Sequence, residues 1–274
     1  MTTTPAQASY PAHSQAARRW LVTPPLPREH GAWAWLLLPL VAGGAAAGSV
    51  NAPLVLLAAG SLAAFVGRAP LEQALRRPAQ RRGYLAWAGL YALTALLALS
   101  PLLFYYHRWG LVAVGAAGAA VALPALLSRR LRYRWRAQGE LLVVAALSLL
   151  APAAYYAATG DFDGETAALW LPPALYSAGS VFYVRMLFEQ RRPGTSARGG
   201  ATLYVAVLWA AIGAGVLLGA LPPLVLVAFL PNTAKVALAL ARRTAIGDVR
   251  RTGIAEALHA ALFAALLVAA YALG

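Results

Sequence analysis

The chain has 274 residues, of which 61% are hydrophobic and only 12% charged, with a mean hydropathy of +0.63. A soluble domain of this size carries about 25% charged residues, so the excess apolar side chains must be solvated by lipid. The absence of cysteine excludes disulfides, thiolate metal sites and cysteine nucleophiles together. The net charge of +14 falls in short loops between apolar runs, where membrane topology accounts for it without nucleic acid.

In chain order, residues 1–23 are rich in Thr, Ala, Gln and Pro without apolar period and read as a flexible cytoplasmic tail. Residues 24–274 read as a single transmembrane helical domain. Nine apolar runs follow one another: 31–50, 53–70, 84–104, 109–128, 140–158, 168–188, 201–219, 222–241 and 254–273. Each approaches the roughly 20 residues that a bilayer core requires. Inside lipid every backbone amide must be bonded within its own segment, which predicts an all-α polytopic bundle. The first run is long enough to span and many others follow. It therefore reads as a retained helix, although Ala45-Ala46-Ala47-Gly48-Ser49 looks like a cleavage site.

An N-terminus in the cytoplasm puts 21 of the 23 basic residues in cytoplasmic loops, as the positive-inside rule demands. Arg108 then falls outside, as does the acidic loop with Asp161, Asp163 and Glu165, and Lys235 lies within a span. This predicts a multi-pass protein of the bacterial inner membrane. The run from Arg129 to Arg136 alternates arginines with aromatic and aliphatic residues and reads as topogenic charge that also meets anionic lipid.

The ends of the second and sixth runs resemble each other. Arg68-Ala69-Pro70-Leu71-Glu72-Gln73 precedes Arg76-Arg77-Pro78, and Arg185-Met186-Leu187-Phe188-Glu189-Gln190 precedes Arg191-Arg192-Pro193. Val121 to Pro124 and Val227 to Pro231 add a weaker likeness. The implied architecture is two parallel four-helix halves plus a ninth helix.

The opening Pro27-Arg28-Glu29-His30-Gly31-Ala32-Trp33 is similar to the signature of the YwiC-like family of bacterial membrane proteins, a family without settled activity. Arg68 to Glu72, Arg185 to Glu189 and Pro231-Asn232 to Lys235 add to that resemblance. The arrangement also resembles, more distantly, the UbiA superfamily of intramembrane prenyltransferases, with nine helices and two chemical motifs after helices two and six. That resemblance implies a UbiA-like bundle. Where that superfamily has aspartate clusters for magnesium and a prenyl diphosphate, this chain offers one carboxylate each, Glu72 and Glu189, among arginines.

An ionisable side chain within a membrane helix is costly and usually faces the protein interior, while near helix ends long side chains snorkel to the interface. Arg68 and Glu72 are four residues apart, as are Arg185 and Glu189, so each pair shares a helix face; Pro70 is expected to kink or end the first of these helices. The pairs read either as a head-group site or as interfacial salt bridges that fix helix ends. Glu29 and His30 open the first span, where a carboxylate suits the helix dipole and a histidine beside it suits proton transfer or simple anchoring. Asn232 and Lys235 share a face after Pro231. Glu140 and Glu256 read as helix-start carboxylates that also pair with nearby arginines, Glu256 with Arg250 or Arg251.

A cytoplasm-facing cavity is therefore expected to gather Glu29, His30, Glu72 and Glu189 as proton-handling groups and Arg68, Arg185, Asn232 and Lys235 as contacts to an anionic head group. The histidines form no spaced ligand set, so no metal is expected, and no cofactor motif is present. The expected partners are membrane lipids and an amphiphilic or anionic small molecule. Three classes stay open: an amphiphile-binding protein or enzyme, a transporter or exporter of a small anion or amphiphile, and an accessory membrane subunit.

Overall fold

The computed structural model describes residues 26–27, 30–128, 136–190, 197–242 and 245–274, which are helical almost throughout and contain no strand. The helices are α1 His30–Ala46, α2 Ala52–Arg76, α3 Arg81–Phe104, α4 Gly110–Ser128, α5 Arg136–Ser148, α6 Leu150–Thr159, α7 Gly164–Ala168, α8 Leu171–Glu189, α9 Ala197–Leu217, α10 Val225–Arg242 and α11 Val249–Leu273. A 3₁₀ turn at Pro78–Gln80 precedes α3. Among the described residues, all nine apolar runs are occupied by helix, the fifth in two pieces. The expected tail lies outside the described residues, as do most of the basic run from Arg129 and the arginines Arg191, Arg192 and Arg243.

The fifth run breaks for a local reason. Pro152 has no N–H to donate to the carbonyl of Ser148, and its ring crowds that carbonyl; α5 ends at Ser148 and α6 begins at Leu150. Pro39, Pro70, Pro101, Pro124 and Pro231 lie inside helices without ending them. Membrane helices tolerate proline because their neighbours and local adjustments satisfy the freed backbone groups. The expectation that Pro70 would end its helix is corrected on the same ground, since α2 runs through it to Arg76.

Among the described residues, six helical segments are long and apolar enough to cross a membrane: Ala52–Arg76, Pro78–Phe104, Gln138–Thr159, Gly199–Leu217, Val225–Arg242 and Val249–Leu273. Ala32–Ala46 and Gly110–Ala125 are apolar but shorter. Helix α8 has the length but is not among the six, because Tyr176, Ser177, Ser180, Tyr183 and Arg185 dilute its apolar sequence.

The chain separates into two compact units, one containing Leu26 and Pro27 with Gly60–Leu97 and one containing the described residues from His30 to Ala59 with those of Ala98–Gly274. In the first unit Gly67 lets α2 approach α3, since a Cβ there would come within 3.0 Å of the Tyr91 side chain. Arg77 Nη1 donates to the Tyr84 hydroxyl at 3.4 Å, and Trp87 packs on Tyr91.

In the second unit α1 packs against α6 and α11, α4 against α5, and α8 against α1, α5, α9 and α10. Gly43 is the contact of α1 with α6, where a Cβ would collide with the backbone carbonyl of Ala151. The main core gathers Ala151, Leu208, Ile212, Phe229, Phe263 and Leu267. The helix ends cluster as an alternating serpentine requires. At one end Asn51 Nδ2 donates to Ala158 O at 2.9 Å and Arg108 Nε to Ala157 O at 3.3 Å. At the other, Ile246 N donates to Leu187 O at 3.0 Å. Outward faces remain apolar: Leu203, Val207 and Leu217 on α9 and Leu258 and Leu262 on α11 are exposed. Only 22% of the apolar window of each of those helices is buried. Hydrocarbon surface on that scale requires lipid.

Candidate functional site

Among its described residues, the second unit buries one ion pair where α8, α10 and α11 meet. Lys235 Nζ donates to Glu256 Oε1 at 2.8 Å, with the two side chains only 8% and 11% exposed. The other carboxylate oxygen, Oε2, accepts from Ser180 Oγ at 2.7 Å. The ammonium also lies 4.4 Å from the centre of the Tyr183 ring, a cation–π contact that strengthens when water is excluded. Two opposite charges removed from water are tolerated only when attraction and further hydrogen bonds offset the loss of hydration, and here both carboxylate oxygens and the ammonium are engaged.

Beside this pair lies a second polar group of contacts. Tyr204 on α9 donates its hydroxyl to Leu175 O at 2.8 Å and lies 3.4 Å from Asn232 Nδ2, which donates to it. Gly179 makes room for both, because a Cβ there would meet the Tyr204 hydroxyl and come within 2.9 Å of Asn232 Nδ2. Aromatic rings close the surroundings: Tyr176 stacks on Phe263 with centroids 4.2 Å apart, Phe229 meets Phe263 edge-on, and Phe182 stacks on Tyr204. Two buried polar atoms, Asn232 Oδ1 and the Tyr176 hydroxyl, have no hydrogen-bond partner among the described residues. A buried polar atom without a partner is unfavourable and marks a place where a further polar group fits.

The site lies well inside the helices. Glu256 is seven residues beyond the start of α11 and Lys235 seven before the end of α10, about 10 Å in each case at 1.5 Å per residue. Glu256 is therefore not the helix-start carboxylate that the sequence suggested. Helix α11 begins at Val249, where Asp248 is the cap and accepts from Arg250 N at 2.8 Å. Asp248 also approaches Arg251 at 3.8 Å, while Glu256 pairs with Lys235 instead of Arg250 or Arg251.

The other expected site residues fall as follows. Arg68 meets Glu72 at 3.5 Å and Arg185 meets Glu189 at 3.7 Å, both within their own helix turn and more than a third exposed. Such exposed pairs contribute about 0–1 kcal/mol. The first pair lies in one compact unit and the second in the other. Glu29, and the side chain of His30, lie outside the described residues. Asn232 and Lys235 share a face of α10 as expected, and Lys235 turns inward to Glu256 instead of snorkelling.

Sequence reading missed Ser180, Tyr183, Tyr204 and the role of Glu256. One signal was present: Tyr176, Ser180 and Tyr183 recur at intervals of four and three residues, a polar stripe on one face of an otherwise apolar helix. Among the described residues no cluster of three or more His, Asp or Glu side chains suits a metal.

Helices that turn hydrocarbon outward and one hydrogen-bonded ion pair inward define a polytopic α-helical membrane protein. The family described as YwiC-like protein matches residues 26–155, a little under half of the chain. The chain is also similar to the uncharacterized protein YwiC of Bacillus subtilis (strain 168), with 29% identity over 173 residues, 61% of this chain and 68% of that relative. No solved structure matches it. The family match ends before α8, so the buried pair lies entirely beyond it.

Proposed function

We propose that the chain is an inner-membrane protein with a cytoplasmic N-terminus that binds an amphiphile through its anionic head group, with Lys235 as the principal cation. The observation that carries this reading is the buried Lys235–Glu256 pair beside two unpartnered polar atoms. The head group exchanges with Glu256: its oxygens accept from Lys235 Nζ, while Asn232, Tyr176 and Ser180 supply further polar contacts. The apolar tail lies between helices. Arg185, five residues from Ser180 along α8, makes the first contact from the basic end, with Glu189 as its resting partner. Arg68 and Glu72 offer the same chemistry on the other unit. Glu29 and His30, on sequence grounds alone, handle protons at the start of α1.

Native mass spectrometry of the detergent-purified protein tests the reading. The wild type is expected to carry an anionic amphiphile. Glu256→Gln, which leaves Lys235 without its carboxylate, is expected to carry more of it, and Lys235→Met to lose it. Equal occupancy in all three would remove the site.

The interruption between α5 and α6 favours a second reading, since broken helices with unpaired backbone groups are common at the binding sites of transporters. Uptake of a small anion or amphiphile into proteoliposomes, lost in Lys235→Met, would select transport over simple binding.

A further inference from the structure

The helix ends opposite the basic loops carry a feature that the buried pair does not use. An open groove of about 400 Å³ is lined by Ala113, Ala117, Leu149, Pro152, Phe162 and Trp170, with scarcely a polar atom on its walls. Trp170 is locked in place by donating Nε1 to Ala145 O at 2.8 Å. Phe162 meets the Tyr156 ring edge-on at 6.0 Å, and the Arg108 guanidinium lies 5.9 Å above that same ring. A continuous aromatic bridge therefore joins the groove to one cation.

Arg108 is held by its donation from Nε to Ala157 O and lies against Gly160, where a Cβ would collide with the guanidinium. No described residue accepts from its two Nη groups. The next residue after Gly160 is the exposed Asp161, and no described residue pairs with its carboxylate. Asp163 is committed otherwise, accepting from Thr166 N at 2.7 Å and Thr166 Oγ1 at 2.8 Å. Asp161, Asp163 and Glu165 make the local balance one cation against three carboxylates, which repels a head group that is only anionic. A zwitterionic one satisfies both signs.

We infer that this end of the protein binds a phospholipid with a primary-amine head group, its phosphate on the Nη groups of Arg108, its ammonium toward Asp161 and one acyl chain in the groove beneath Phe162 and Trp170. Guanidinium is suited to phosphate through paired N–H donors, and the groove offers a chain walls of carbon alone. This ligand is independent of the amphiphile at Lys235.

The test is lipid retention by native mass spectrometry after exchange into an equimolar mixture of phosphatidylethanolamine, phosphatidylcholine and phosphatidylglycerol. The wild type is expected to retain phosphatidylethanolamine over the other two by roughly fivefold. Asp161→Asn, which removes a carboxylate that no described residue pairs with, is expected to bring phosphatidylethanolamine and phosphatidylcholine level. Ala117→Phe, which fills the groove, is expected to lose all three while the thermal unfolding midpoint in detergent stays close to wild type. Equal retention of the three lipids by the wild type would overturn the inference. So would an unchanged preference in Asp161→Asn, or full retention by Ala117→Phe.

Discussion

Lys235 and Glu256 show how much a single buried contact decides. Removing one partner of a buried ion pair leaves the other charge without compensation, at a cost of about 3–5 kcal/mol, whereas replacing both by apolar side chains of similar size is often neutral or stabilising. Lys235→Met and Glu256→Leu are each expected to lower the unfolding free energy from denaturant titration in detergent by that order, and the double variant to recover most of it. If the double variant is as unstable as the sum of the singles, the pair is not energetically coupled. Asp163 gives a second residue-level expectation. Its hydrogen bonds from the Thr166 amide and hydroxyl hold its carboxyl below the ordinary aspartate value. A depressed folded value means that the capped turn is stabilised above the unfolded pKa, about 3.9, and that this stabilisation is lost as pH falls through the folded one. Hydrogen exchange at the Thr166 amide, corrected for intrinsic rate, is expected to show protection falling below pH 4 in the wild type and already absent at neutral pH in Asp163→Ala.

At the scale of elements, α8 combines two roles that conflict in a membrane. It needs enough hydrocarbon to lie among helices, and it needs Ser180 and Tyr183 to meet Glu256 and Lys235. It resolves this by packing against α1, α5, α9 and α10, so that its polar stripe faces protein and not lipid. Membrane helices associate through close packing of small residues, since lipid is as apolar as the helices themselves. Gly43 is such a contact between α1 and α6. Gly43→Leu would push against the Ala151 carbonyl, which cannot rotate away as a side chain can. Overpacking of this kind costs about 1–3 kcal/mol, and the thermal midpoint is expected to fall accordingly. Gly48→Leu is the matched control, since a Cβ there meets nothing within 4 Å; its positive φ of 62° adds strain, so it sets an upper bound on the effect of the side chain alone.

At the scale of the whole molecule, the absence of cysteine makes topology directly measurable. Ala79 and Asp161 are both exposed, one beside the arginines after α2 and the other in the acidic loop after α6. Single Ala79→Cys and Asp161→Cys variants are expected to react with a membrane-impermeant maleimide from opposite sides of intact cells, Asp161→Cys from outside. Reaction of both from the same side would contradict the serpentine order of the spans.

The sequence by itself determined where the apolar helices lie, their limits within several residues and the likeness to YwiC-like proteins. Hydropathy acts over a local window, and a backbone in lipid has only its own segment to bond with. It also determined the contacts of Arg68 with Glu72 and Arg185 with Glu189, because residues four apart on a helix are neighbours whatever surrounds them. Only the tertiary structure decided that Lys235 meets Glu256, 21 residues away on another helix, and that α8 turns Ser180 toward the same carboxylate. Helix rotation and neighbour choice depend on packing summed over several faces, and a nearly uniform hydrocarbon sequence carries little record of which face will be covered.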